Sequence, residues 1–96
     1  MSYTLEQIEE AMEIAADMDA DVFIKDTSHR ARYTKPRKAM FFLMIKVGYK
    51  RKYIAEHYGV SEQAVCLKKA EAYYPDSEIR RLMFNAEIIL NNDYNQ

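Results

Sequence analysis

The stretch IAEHYGVSEQAV, residues 54–65, sets the tightest limit on how this chain can fold. Only two glycines occur in 96 residues, and one of them, Gly59, stands between two stretches of helical periodicity. A glycine there predicts a helix that stops in a left-handed residue. Ser61, two residues on, predicts the N-cap of the next helix. Two helices that cross steeply over so short a turn need three things. A small residue belongs where they touch, a glycine at the bend, and a branched apolar residue where the second helix locks into the core. Ala55, Gly59 and Val65 stand at those places, with Ile54, Tyr58 and Val60 around them. An ordinary α-hairpin meets the same needs, so the spacing alone leaves two readings open, a DNA-binding helix-turn-helix and a structural turn.

The rest of the chain also reads as helix. Alternating β-branched runs are missing, prolines number two, and 49% of residues are hydrophobic against 30% charged. This predicts a single all-α domain over 1–96, of about six helices with the helix-turn-helix at its centre. Thr4, with Gln7 as its capping-box partner, opens an acidic N-terminal helix over 4–18. A short second helix is expected around 20–26. TSHRARYTKPRK, 27–38, reads as a basic loop, with Pro36 in the first turn of a third helix and Thr34 or Lys35 just before it. That helix contains AMFFLMI (39–45), apolar nearly all round and therefore buried, and Gly48 stops it. The helix-turn-helix follows over 50–74. Its first helix turns Tyr53, Ile54 and Tyr58 inward; its second, the reading helix, runs from 62 to 74 and ends at Pro75. A C-terminal helix covers 76–91, and the polar tail NNDYNQ is expected to fray.

Several function classes lack their residues. The lone Cys66 allows no internal disulfide and reads as core or groove-facing, and no Cys/His cluster suits zinc. Asp17, Asp19 and Asp21 begin a calcium-loop spacing, but Val22 stands where the EF-hand needs glycine and Ser28 where it needs glutamate. His29 and His57 have no nucleophile pattern near them, and Glu56 and Glu62 form no acid–base pair. No phosphate-binding G-x-x-x-x-G-K occurs, since Gly48 and Gly59 are the only glycines. The expectation is a non-enzyme that needs no cofactor and no metal. No apolar run has transmembrane length and no signal peptide opens the chain, so the expected compartment is the cytoplasm.

Charge supplies the positive argument. The net value of −1 conceals −7 over residues 1–29, +9 over 30–69 and −3 over 70–96. Such segregation predicts one basic working surface. Phosphate contacts need cations of this kind, and Arg32, Lys35, Arg37, Lys38, Lys50, Arg51, Lys52, Lys68 and Lys69 are the candidates. Tyr33, Tyr49 and Tyr53 could add hydroxyls to phosphate. In the first turn of the reading helix, Ser61 is a cap and a possible phosphate donor, and Glu62 and Gln63 follow. A glutamine there can bond adenine N6 and N7 together; it can equally be a solvated surface residue.

With these residues in place, TLEQIEEAMEIAADMDADVFIKDTSHRARYTKPRKAMFFLM followed by YIAEHYGVSEQAV resembles the C-terminal DNA-binding domain of the bacterial replication initiator DnaA, of the Trp-repressor-like helix-turn-helix group. The order of elements is similar over about residues 5 to 73. The family's long helix begins R-Q-x-A-M-Y-L, and here Arg37-Lys38-Ala39-Met40-Phe41-Phe42-Leu43 stands in its place. The family's base-reading stretch, G-G-R-D-H-[ST]-T-V, is diverged to Gly59-Val60-Ser61-Glu62-Gln63-Ala64-Val65, without one glycine and without the D-H-T core. The resemblance therefore implies the fold and binding to double-stranded DNA, not a target site. It also implies that Lys35 and Arg37 lie at the minor groove, whose negative potential attracts such cations. The function it implies is that of a transcription regulator or a replication-accessory factor. The alternative is a protein-interaction module in which the acidic N-terminal helix binds a basic partner.

A chain with one cysteine and no ligand cluster should fold without metal or disulfide. Chelator and reductant should leave its helical circular dichroism and melting temperature unchanged; a large drop with chelator would contradict this reading.

Overall fold

The computed structural model describes residues 3–25, 31–65 and 77–94. Among them the chain is all-α, with six helices: α1 (Leu5–Ala16), α2 (Ala20–Lys25), α3 (Ala31–Val47), α4 (Arg51–Tyr58), α5 (Glu62–Val65) and α6 (Ser77–Tyr94). No described helix is long and apolar enough to cross a membrane.

α3 is the hub. Six consecutive residues, Ala39 to Met44, are buried in it. At about 100° per residue they cover the helix's whole circumference, so it must be enclosed from every side. α1 covers it with Leu5, Ile8, Ala11 and Met12, and α6 with Ile79, Leu82, Ala86 and Leu90. Phe23 of α2, Ile54 of α4 and Val65 of α5 are each fully buried as well. α1 and α6 lie side by side and run antiparallel. At one end the Tyr3 hydroxyl donates to Asn91 Oδ1 at 2.8 Å; at the other, Ala15 to Met18 share a cleft with Glu78 and Leu82.

Local chemistry sets the helix ends. The Thr4 capping box forms in both directions, with Gln7 N–H donating to Thr4 Oγ1 at 3.1 Å and Thr4 N–H donating to Gln7 Oε1 at 3.0 Å. Three helices then close with a residue at positive φ, which lets the next amide reach back to the last turn. Gly48 (φ 124°) and Gly59 (φ 67°) do this for α3 and α4, as the sequence suggests. Tyr49 N–H donates to the Met44 carbonyl and Val60 N–H to the Ala55 carbonyl, each at 3.0 Å. The third is Asp17, at φ 54°, with Met18 N–H bonded to the Glu13 carbonyl at 3.1 Å. α1 therefore stops at Ala16 and not at 18. Aspartate tolerates this conformation better than most side chains do.

Two further boundaries differ from expectation. Residues 31–38 are not loop but the first two turns of α3, and Pro36 lies inside the helix. Residues 27–30 lie outside the described part. A proline removes one amide bond and crowds the carbonyl four residues back, that of Arg32. Here it is buried close to Ala15, Ala16 and Leu82, and that packing offsets the loss. Thr34, expected just before the helix, sits within α3 with its hydroxyl oxygen buried and unpartnered. α6 runs on to Tyr94, so the expected fraying of 91–94 does not occur. Asn91 is held there by Tyr3.

Gly59 has nothing within 4 Å of where a Cβ would stand. Replacing it with alanine should therefore cost only the left-handed backbone, about 1 kcal/mol. The expected fall in melting temperature is roughly 4–8 °C for a domain of this size. Gly59→Asn should fall by less. A steric role would make the two variants equally damaging in a thermal melt.

Candidate nucleic-acid interface

The turn between α4 and α5 is short and firmly set. Ala55 is buried where the two elements meet, and its carbonyl accepts from Val60 N–H. Ser61 Oγ accepts from Ala64 N–H at 3.1 Å, which is the expected cap. Val65 is fully buried, whereas Ser61, Glu62, Gln63 and Ala64 are exposed. The first turn of α5 is thus anchored at its last residue and open at the four before it. The rest of the expected reading helix, with Cys66, Lys68 and Lys69, lies outside the described residues.

α4 begins in a concentration of positive charge. Lys50 is its N-cap and makes no side-chain cap bond, Arg51 and Lys52 follow, and its first turn holds no acid. All three side chains are exposed. The start of a helix carries the positive end of its dipole, so cations there cost about 0.3–1 kcal/mol each. The sequence accepts that cost three times in a row.

The opposite face of α4 is clamped. Tyr58 donates a 2.5 Å hydrogen bond to Glu9 Oε2 of α1, and its ring packs on Phe41 at 5.7 Å. Burial first, then the Glu9 bond and its negative charge, push the Tyr58 hydroxyl far above the usual tyrosine range. Tyr53, expected inward, is instead 53% exposed. It stacks between Tyr49 at 5.7 Å and His57 at 6.4 Å. These three residues recur every four positions and make a stripe beside the cations. The Tyr49 hydroxyl donates to the Tyr3 carbonyl at 2.6 Å, so it is committed within the fold and not offered to phosphate.

The basic residues of α3 form a separate group. A rise of about 1.5 Å per residue puts Lys35 about 18 Å along the axis from Val47, where the chain turns towards α4. Lys35 does not project freely: its Nζ donates to Glu78 Oε2 of α6 at 2.9 Å. The Arg32 guanidinium lies 5.7 Å from the Tyr33 ring centre. Arg37 and Lys38 are half-buried on the same helix. The structure thus sets Lys50, Arg51 and Lys52 just beyond the C-terminal end of α3, and Arg32 and Lys35 towards its start.

Beside Arg32 lies a residue that the sequence reading passed over. An open cleft of about 430 Å³ between α1, α3 and α6 is lined by Asp17, Arg32, Pro36, Glu78, Arg81 and Leu82, among others. Arg81 went unnoticed because residues 70–96 sum to a negative charge. Among the described residues no group of three His, Cys, Asp or Glu side chains could hold a metal ion.

Comparison of the chain with protein-family models, with curated proteins and with solved structures found no match.

The raised Tyr58 value fixes a pH dependence. Below about pH 10 the hydroxyl is protonated both folded and unfolded, and its contribution is full. Above that, the unfolded chain gives up a proton that the folded chain keeps, so stability falls as pH rises. Tyr58→Phe should cost about 0.5–1.5 kcal/mol at neutral pH and should flatten that alkaline loss. Denaturant melts at pH 7 and above pH 10 measure both; an undiminished alkaline loss in the variant would place its origin elsewhere.

Proposed function

We propose that the protein binds double-stranded DNA, with α4, the Gly59 turn and α5 acting as a helix-turn-helix. The observation that carries this reading is the start of α4. Three exposed cations, Lys50, Arg51 and Lys52, add to the positive end of a helix dipole at a cost to the helix's own stability. A polyanion repays that cost. The exposed first turn of α5 then offers Ser61, Glu62 and Gln63 to base edges in the major groove, with Val65 fixing its angle. The second basic group lies towards the other end of α3, with Lys35 about 18 Å along the helix axis from Val47. The resemblance to the DnaA C-terminal domain gives Lys35 and Arg37 the minor-groove role. Taking it costs Lys35 its bond to Glu78, and an exposed ion pair of this kind is worth at most about 1 kcal/mol. A transcription regulator or a replication-accessory factor working in the cytoplasm is the functional class this implies.

The alternative partner, a basic protein on the acidic N-terminal helix, has less support. Glu9 of that helix is spent on Tyr58.

A mobility-shift titration at several salt concentrations, on selected and scrambled duplexes, tests the reading. Arg51→Ala and Lys52→Ala should weaken binding to every duplex and each lower the salt slope by about one. Gln63→Ala should cost about 1–3 kcal/mol on the selected site and leave scrambled duplex nearly unaffected. No shift at low salt with the parent protein rejects DNA binding. Equal loss on both duplexes for Gln63→Ala removes α5 as the reader.

A further inference from the structure

We infer that the cleft between α1, α3 and α6 is a phosphate-binding notch, in which Arg81 and Arg32 hold one backbone phosphate of the duplex. This rests on the DNA-binding reading and adds α6 to the interface.

The two arginines come from helices far apart in sequence, yet they line one open cleft of about 430 Å³. Both side chains are exposed. Guanidinium groups present planar forks of donors that match phosphate oxygens two at a time. The charged side chains that line the cleft balance, Arg32 and Arg81 against Asp17 and Glu78; Lys35, outside the lining, adds one further positive charge beside Glu78. Lys35 already engages Glu78 at 2.9 Å, and the Glu78 side chain is 50% exposed, so water can take over from either partner when a ligand arrives. Pro36 and Leu82 give the notch an apolar wall. The first turn of α6 adds the positive end of an 18-residue helix beside them. The notch also lies at the end of α3 remote from the cations that open α4. A duplex that reached both groups would be held at two points on its backbone, which would fix its angle across the protein.

The test uses the whole chain, with circular dichroism and thermal melts to confirm that each variant is folded. Parent, Arg81→Ala, Arg81→Lys and Glu78→Gln are titrated against scrambled duplex at several salt concentrations. Arg81→Ala should weaken binding to all sequences and reduce the salt slope by about one. Arg81→Lys should keep the slope, since the charge remains, yet bind less tightly because the fork is lost. Glu78→Gln should bind more tightly than the parent, a sign that loss of a purely structural contact would not give. In a second arm, inorganic phosphate is titrated while the arginine Nε–H resonances are followed by NMR, and it should shift those of Arg32 and Arg81. Duplex binding by Arg81→Ala with the parental slope overturns the notch while leaving the DNA reading standing. Failure of the parent to bind duplex, with Arg32 and Arg81 still shifted by phosphate, overturns the DNA reading and keeps the phosphate site. Failure in both arms rejects both.

Discussion

Everything in this fold answers to one demand, the burial of six consecutive residues from Ala39 to Met44. A helix apolar around its full circumference cannot lie on a surface. It has to be wrapped, and a short chain has little with which to wrap it. α1 and α6 take the two long sides, and α2, α4 and α5 are placed around what remains. α2, α4 and the described part of α5 span six, eight and four residues, too short to hold together alone in water. Their order comes from Phe23, Ile54 and Val65 sunk into the same core. The same demand sends the charge of α3 to its two ends. Arg32, Lys35, Arg37 and Lys38 precede the buried run, and Lys46 and Lys50 to Lys52 follow it.

What could be read in advance divides along physical lines. Thr4 with Gln7, and both glycines, were legible because each residue type meets a backbone need that few others meet. Asp17 does the same work as a glycine, but aspartate has too many other uses to announce it. Pro36 was misleading for the opposite reason. Its preference for the first turn is strong, and it was outweighed by packing against α1 and α6, which a local rule cannot see. Tyr53 shows a third kind of failure. At 100° per residue it belongs to the stripe of Tyr49 and His57, away from the stripe of Ile54 and Tyr58. Its ring suggested burial, whereas a tyrosine has a polar end that is content at the surface.

The candidate interface was legible as a list of cations and illegible as an arrangement. Nothing local pairs Lys35 with Glu78, 43 residues away, or Tyr58 with Glu9, 49 residues away. Those contacts depend on how α1 and α6 lie against the hub. Summing charge by segment found the surplus of 30–69, and the same sum hid Arg80 and Arg81 inside a segment that is acidic on balance. In space both arginines are exposed near the start of α6, and Arg81 lines the same cleft as Arg32.

The bond between Tyr3 and Asn91 joins positions 88 apart in the chain, and it closes the seam along which α1 and α6 lie. Closing so long a loop is entropically dear, whereas the turn from α4 to α5 closes over a few residues. The α4–α5 corner and the middle of α3 can therefore come together early, and the seam zips afterwards, over a core already part-built. On that order, kinetic lifetime would reside in the seam, and loosening Tyr3 or the apolar face of α6 would speed the escape from the folded state more than it slowed the approach to it.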